Sequence, residues 1–415
     1  MSTQRGETTG AALDSVIGDR ELLARVSNLR LHFDTDRGVV RALDGVNLDV
    51  FEGEILALVG ETGCGKTITA RSFMQLVPTP PGRYPEGSVT MRTGRSCPEC
   101  DGEGCPRCYG TGEEFENLLD VPSDQMNRIR GDRIALIFQD PTTALNPSLT
   151  VEDQIAESIL AHQSEEVLAS AGIDPSEFNP LVRRVLRDQA ALGRSTLQSL
   201  VASIPPLRKH KRAIRSAVRE RIAEVLRQTQ IPNAMEVMGA YPHELSGGQQ
   251  QRVMIATALV AKPDLLIADE ATTALDVTTQ ARILELIDDL QDDYDTSLLY
   301  ITHDLNLVND IADRVAVMYA GSIVETGDVD QVYGNPLHPY TRGLIGSIPS
   351  EGTVDEKLRE IEGSIPDLTN PPAGCRFCTR CPEVMDHCRD EDPPVVKRER
   401  GRYVACHLYA DQEEV

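Results

Sequence analysis

The chain has 415 residues, with 41 basic against 65 acidic side chains, a formal charge of −24 and 40% hydrophobic residues. That length holds one large α/β domain with an appendage, or two modest domains, and the acidic balance argues against nucleic acid or anionic lipid as a partner. No apolar run approaches the roughly 18 residues that span a bilayer, and residues 1–21 lack an export signal's apolar centre and read as a disordered tail.

Residues 22–58 alternate apolar and polar side chains between turns, as in Arg41-Ala42-Leu43-Asp44-Gly45-Val46, and predict antiparallel strands. The run Ile55-Leu56-Ala57-Leu58-Val59 reads as a buried strand and leads into Gly60-Glu61-Thr62-Gly63-Cys64-Gly65-Lys66-Thr67. This is the G-x-x-x-x-G-K-[ST] phosphate loop: its glycines let successive amides face phosphate, and the following helix adds positive potential. Lys66 would bridge the β- and γ-phosphates and Thr67 would ligate Mg²⁺. Residues Gly60 to Ile68 are the expected nucleotide-binding stretch, and the helix after the loop is expected to run to about Val77, followed by a Pro-rich break over 78–85 and a strand over 88–91.

Next comes a tandem C-x-x-C-x-G-x-G repeat, Cys97, Cys100, Cys105 and Cys108, inserted into a predicted hairpin at about 93–115. Four thiolates at this spacing predict a closed tetrahedral Zn²⁺ site, the alternative being reduced thiols in a loop. The repeat resembles the zinc knuckles of DnaJ-type chaperones.

Arg133 to Phe138 predicts a buried strand ending in Gln139, which could reach Mg²⁺ and the attacking water. Residues 151–250 are helical in pattern, with an insertion at about 163–214. Leu265 to Ala268 is a further buried strand ending in Asp269, placed to hold Mg²⁺, and Glu270, placed to accept a proton from water. A helix over about 278–291, a strand from Ser297 to Thr302 ending at His303, and a hairpin formed by 314–318 and 322–325 complete the series. His303 could hydrogen-bond the γ-phosphate. Strands alternating with helices predict a mainly parallel sheet with functional residues at strand C-termini.

Together with Leu245-Ser246-Gly247-Gly248-Gln249, these residues resemble the nucleotide-binding subunit of ABC transporters over roughly 22–345. The resemblance implies an α/β, ABC-type P-loop NTPase fold with a mainly parallel core sheet, an antiparallel β subdomain and a helical signature subdomain. It implies that Ser246, Gly247, Gly248 and Gln249 close over ATP held by another subunit. It also implies that Asp276 lies in the D-loop, that His303 is the switch histidine and that Phe33 stacks on adenine. Ala271 departs from the family, which usually carries proline there; with Glu270 present, hydrolysis is expected to survive.

The strings Ala268 to Val277, Arg252 to Ala256 and Asn335 to Arg342 further resemble the D-type ATPase of dipeptide/oligopeptide importers. That implies a related F-type ATPase partner or a homodimer, two permease subunits, an extracytoplasmic binding protein and a place at the cytoplasmic face of the membrane. The cysteine-rich extension over 346–415 resembles a segment in which some relatives bind [4Fe–4S] through four cysteines, here Cys375, Cys381, Cys388 and Cys406, with Cys378 extra. Four thiolates suit that cluster or Zn²⁺, and the cluster is the favoured reading.

Ten cysteines without an export signal point to metal sites over disulfides, and six lysines among the 41 basic residues suit a salt-rich cytoplasm as well as a merely acidic soluble protein. Two other functions fit less well: a soluble ABC ATPase acting on DNA, disfavoured by the acidic charge, and a non-hydrolysing regulator, disfavoured by Glu270 and His303.

Overall fold

The computed structural model describes residues 16–17, 20–174, 211–270, 280, 291, 296–347, 361–399 and 401–410. Two compact units emerge, Met1–Val121 with Ser297–Val415, and Pro122–Thr296. In chain order the strands are β1 (Val16–Ile17), β2 (Arg20–Thr35), β3 (Gly38–Phe51), β4 (Ile55–Val59), β5 (Gly82–Ser96), β6 (Glu113–Asn117), β7 (Ile134–Ile137), β8 (Leu265–Asp269), β9 (Ser297–Thr302), β10 (Arg314–Tyr319), β11 (Ser322–Asp328), β12 (Val395–Glu399) and β13 (Arg402–Ala405).

In the first unit, β2 pairs with β3 on one edge and β5 on the other, and β5 pairs with β6, all antiparallel. Within the stretch expected to be a tail, Val16–Ile17 pairs with β2, Val16 opposite Glu21. Every residue of β4 is buried, as a continuous apolar run requires when both faces are covered. It lies parallel to β9 and β10, with Val59 beside Thr302 and Val317. β11, β13 and β12 continue this sheet antiparallel from β10.

Glu325 on β11 fastens the C-terminal region to it. Its carboxylate accepts the Leu337 and His338 amides at 3.0 and 2.9 Å, and Arg402 Nη2 at 3.1 Å.

In the second unit, β7 and β8 are parallel, Ile137 beside Ala268. The helix Val151–His162 is capped by Thr150, whose hydroxyl accepts the Asp153 amide. Its stripe Val151, Ile155 and Ile159 joins Val218, Ile222 and Val253, from the helices Lys211–Gln228 and Gly247–Leu259, in a common core.

Several sequence expectations are corrected. The helix behind the phosphate loop, Lys66–Phe73, stops short of Val77 because Gln75 is left-handed, at φ 48°, and the Met74 and Leu76 amides bond back to the Arg71 carbonyl. β5 begins at Gly82, inside the expected Pro-rich break: Pro85 falls where the pairing with β2 slips between Arg30 and His32, so its missing donor costs the ladder nothing. Phe138 lies beyond the end of β7 and is 39% exposed. Residues 175–210, most of the predicted helical insertion, lie outside the described residues, as do 271–279, which contain Ala271 and Asp276.

Candidate functional site

The phosphate loop joins β4 to the helix Lys66–Phe73 in the first unit. Gly60, Gly63 and Gly65 have φ of 153°, 84° and 115°, where a side chain is strained. At Gly60 a Cβ would also come within 2.2 Å of the Met318 carbonyl oxygen. Lys66 is 3% exposed, its Nζ donating to the Gly60 carbonyl at 2.7 Å and the Glu61 carbonyl at 3.2 Å. Cys64 is fully buried and burial pushes its thiol up, as befits a small packed residue. Thr62 and Gly63 are exposed, and Thr67 and Ile68 half-buried.

His303 follows β9 and is exposed. The parallel register of Val59 beside Thr302 brings it to the same sheet edge as Gly60. Phe33 on β2 is half-buried, its ring edge covering Gly82.

Three candidate elements belong to the second unit. Asp269 ends β8, 5% exposed, and Glu270 follows with φ 48°, an unusual backbone state for a glutamate. Gln139 stands two residues beyond β7, as Glu270 stands two beyond Ala268, and its Nε2 donates to Glu270 Oε2 at 2.8 Å. The signature segment opens the helix Gly247–Leu259: Ser246 is its N-cap, with Oγ accepting the Gln249 amide while Gln249 Oε1 accepts the Ser246 amide at 3.0 Å. Ser246 and Gly247 are exposed; Gly248 and Gln249 are half-buried.

The insert between β5 and β6 brings Cys97, Cys100, Cys105 and Cys108 together, all four sulfurs lying within 4.8 Å of one another. Separations of 3.8 Å (Cys97–Cys105) and 3.7 Å (Cys100–Cys108 and Cys105–Cys108) match the edge of about 3.8 Å that a tetrahedron with Zn–S bonds of about 2.3 Å requires. The Gly104 and Cys105 amides donate to the Cys100 and Cys108 sulfurs at 3.3 and 3.0 Å. Burial opposes ionisation of Cys108, but amides of Cys105 and Gly112 and the neighbouring thiols outweigh it and draw the group down to about 6. These residues fit a closed Zn²⁺ site. The two repeats interlock: a Cβ on Gly104 would meet the Gly110 carbonyl oxygen at 2.6 Å, and one on Gly112 the Gly102 carbonyl oxygen at 2.4 Å. Tyr109 holds the insert to the sheet, edge-on to Phe115 at 4.9 Å and under the Arg25 guanidinium at 4.5 Å; Arg25 pairs in turn with Asp49.

In the C-terminal region, Cys375, Cys378, Cys381, Cys388 and Cys406 line one cavity with His407 and Met385. Burial pushes Cys375 up to about 12 and Cys406 up to about 11, so thiolates there call for a cationic partner. Among the described residues these five sulfurs do not form a mutually close group as the insert's four do. His387, Cys388 and His407 do approach one another that closely, a grouping that could hold a metal ion and that cysteine spacing alone does not reveal.

Sequence reasoning also missed Tyr340, whose hydroxyl accepts the Glu61 amide at 3.0 Å, and Arg380, whose guanidinium pairs with the Glu61 carboxylate at 2.8 Å. The available signal was two arginines, 376 and 380, set among the cysteines of an acidic chain.

Two family models match the chain: the ABC transporter over residues 43–273, and the oligopeptide/dipeptide transporter C-terminal region over residues 324–388. Three Bacillus subtilis (strain 168) proteins align along most of their length. The oligopeptide transport ATP-binding protein AppD is 39% identical over 391 residues, spanning 94% of this chain and 98% of AppD. The oligopeptide transport ATP-binding protein OppD is 39% identical over 387 residues, spanning 93% and 88%. The dipeptide transport ATP-binding protein DppD is 37% identical over 394 residues, spanning 95% and 97%.

Proposed function

The chain belongs to the ABC transporter family, and from that premise we propose that it is the ATP-hydrolysing subunit powering import of oligopeptides or dipeptides. One observation carries the reading: the ATPase match and the peptide-transporter C-terminal match occur in order on one chain that aligns with peptide-transport subunits almost end to end. The subunit would sit peripherally at the cytoplasmic face of the membrane, beneath two permease subunits served by an extracytoplasmic binding protein. Among the described residues no helix is long and apolar enough to cross a membrane.

The loop amides, Lys66 and Thr67 would bind the triphosphate, with Thr67, Gln139 and Asp269 holding Mg²⁺, which neutralises phosphate charge when bound. Glu270 would take the proton of the attacking water, oriented by its bond from Gln139. His303 would hold the γ-phosphate and Phe33 would stack on adenine. Ser246 to Gln249 would close over nucleotide bound by a second subunit, an F-type ATPase or another copy, with Asp276 in the adjoining loop. Closure would bind nucleotide between the subunits, and hydrolysis would release them.

Cys97, Cys100, Cys105 and Cys108 would hold Zn²⁺, and Cys375, Cys381, Cys388 and Cys406 a [4Fe–4S] cluster, both as structural centres. The charge of −24 suits a salt-rich cytoplasm, where screening weakens self-repulsion.

The test is reconstitution with the permease pair and binding protein in liposomes. Labelled di- to pentapeptide uptake should require ATP and stop with Glu270→Gln. Uptake that proceeds without ATP, or peptide that fails to stimulate hydrolysis or enter, refutes the assignment.

A further inference from the structure

Two arginines of the cysteine-rich region end on the phosphate loop and its supports. Arg380, between Cys378 and Cys381, has a side chain only 5% exposed and grips Glu61 with two prongs, Nη1 to Oε2 at 2.8 Å and Nη2 to Oε1 at 3.1 Å. Its remaining donors are met by the Ile361 and Glu362 carbonyls, each at 3.0 Å, and by the Tyr319 hydroxyl at 3.5 Å. Arg376, next to Cys375, bonds the Ala320 carbonyl and, at 2.5 Å, Asp44. Ala320 precedes Gly321, whose amide donates to the Cys64 carbonyl at 2.7 Å. Between the two arginines, Phe377 packs edge-on against Tyr319 at 5.1 Å and meets Tyr340, which holds the Glu61 amide.

Glu61 is an awkward residue for its place. It puts a carboxylate, its side chain 27% exposed, in a loop built to receive a triphosphate, and like charges at such range repel. A planar guanidinium in a two-pronged pair both cancels that charge and fixes its direction. Arg380 in turn is placed by a short turn in which the Cys378 amide bonds the Cys375 carbonyl at 3.1 Å and the Arg380 amide the Phe377 carbonyl at 3.0 Å. That turn carries three of the cage thiols. A centre that draws those thiols together fixes the turn, and the turn fixes Arg380.

We propose that Arg380 is a positioning residue of the nucleotide site: an occupied cysteine cage holds it on Glu61, so that ATP affinity depends on whether the cage is filled. This rests on the cage being a metal or cluster site.

The experiment measures the Kd of a fluorescent ATP analogue for the full chain, purified anaerobically, with iron and zinc content determined on each sample. Arg380→Ala should keep its metal and bind nucleotide about tenfold more weakly, the cost of one lost charge-assisted pair, with a larger deficit at low ionic strength. Adding Glu61→Gln should restore most of the loss, an outcome that mere loosening of the loop would not give. Stripping the cage, by chelation or by Cys381→Ser, should weaken binding by a similar factor, and Arg380→Ala should add nothing further. Wild-type affinity in metal-retaining Arg380→Ala, or in the stripped protein, overturns the proposal. If Arg380→Ala does not fold, Arg380→Lys carries the test, since one-pronged pairing should give an intermediate, salt-sensitive Kd. A chain that purifies with an empty cage sinks the cage reading alone, and the Arg380 and Glu61 variants still decide whether the clamp acts on nucleotide.

Discussion

Gln139 Nε2 donates a 2.8 Å hydrogen bond to Glu270 Oε2, joining the residue two places beyond β7 to the residue that follows its parallel neighbour β8. The bond engages one carboxylate oxygen of the proposed base, and the left-handed backbone of Glu270 sets the direction in which its side chain leaves the chain. Glu270→Gln should leave ATP binding nearly unchanged and lower turnover by about two to four orders of magnitude, the usual worth of a general base. Gln139→Ala should cost less, because the carboxylate remains. Phosphate release at saturating ATP, with nucleotide affinity measured separately, decides both; wild-type turnover in Glu270→Gln removes the base from the mechanism.

The insert's sulfur geometry makes a stoichiometric forecast. Anaerobically purified protein should carry one zinc per chain in the insert, and Cys108→Ser should lose it. Gly104→Ala should lose it too, since the added Cβ would come 2.6 Å from the Gly110 carbonyl oxygen at a φ of 91°. Because Tyr109 rests under Arg25, loss of the metal should also lower the thermal midpoint. Metal analysis and melting curves on the same samples check the linkage, and zinc-replete Cys108→Ser would contradict it.

How far the sequence reaches depends on the length scale of each interaction. β4, β8 and β9 announce themselves through largely apolar runs, and Gly60, Glu270 and His303 follow at or just past those strands' ends. The cysteine cluster of the insert is likewise local, its four thiols falling within a dozen residues. Arg380 and Glu61 are 319 residues apart, and Arg402 and Glu325 are 77 apart. No periodicity marks such pairs, because each partner alone looks like an ordinary surface charge. Local geometry also misled: Phe138 is apolar yet lies past the end of β7, and Gln75 ends a helix without a glycine or proline to signal it.

Glu325 is a hub whose loss should be felt in stability. It takes two backbone amides and the buried Arg402, so Glu325→Ala strands all three donors. Breaking a buried pair from one side costs about 3–5 kcal/mol. Chemical denaturation should show a drop of that order, while Glu325→Gln, which keeps acceptor capacity, should lose less. Equal midpoints for wild type and Glu325→Ala would show that the C-terminal region is fastened elsewhere.

His338 gives the pH dependence. It is 1% exposed, and burial, aided by the Arg342 charge, lowers it to about 3; its Nδ1 accepts the Tyr340 amide at 3.0 Å, so the folded form needs it neutral. Unfolded, the ring titrates near 6.5. Its contribution is therefore complete above about pH 6.5 and is lost as pH falls from there toward 3, at about 1.4 kcal/mol per unit. Denaturation at pH 7 and pH 5.5 should differ by about 1 kcal/mol from this group. His338→Asn, which can still cap the helix Pro339–Ile345, should flatten that part of the slope. An unaltered slope in the variant would assign the acid sensitivity to other groups.

The five cysteines of the cage differ in what they should do on replacement. Cys375, Cys381, Cys388 and Cys406 match the four-ligand pattern and Cys378 is the extra thiol, yet all five face one cavity. If the cage holds an iron–sulfur cluster, protein purified without oxygen should absorb broadly at about 400 nm, as thiolate-to-iron charge transfer requires. Serine at position 375, 381, 388 or 406 should each abolish that band and the bound iron. Cys378→Ser should keep both, since Cys378 packs at 4% exposure without being needed to complete four ligands. A band lost in Cys378→Ser and kept in one of the other four would exchange their roles. Bound zinc without a band, lost in Cys388→Ser and in His407→Ala, would instead move the centre to the close-set trio of His387, Cys388 and His407.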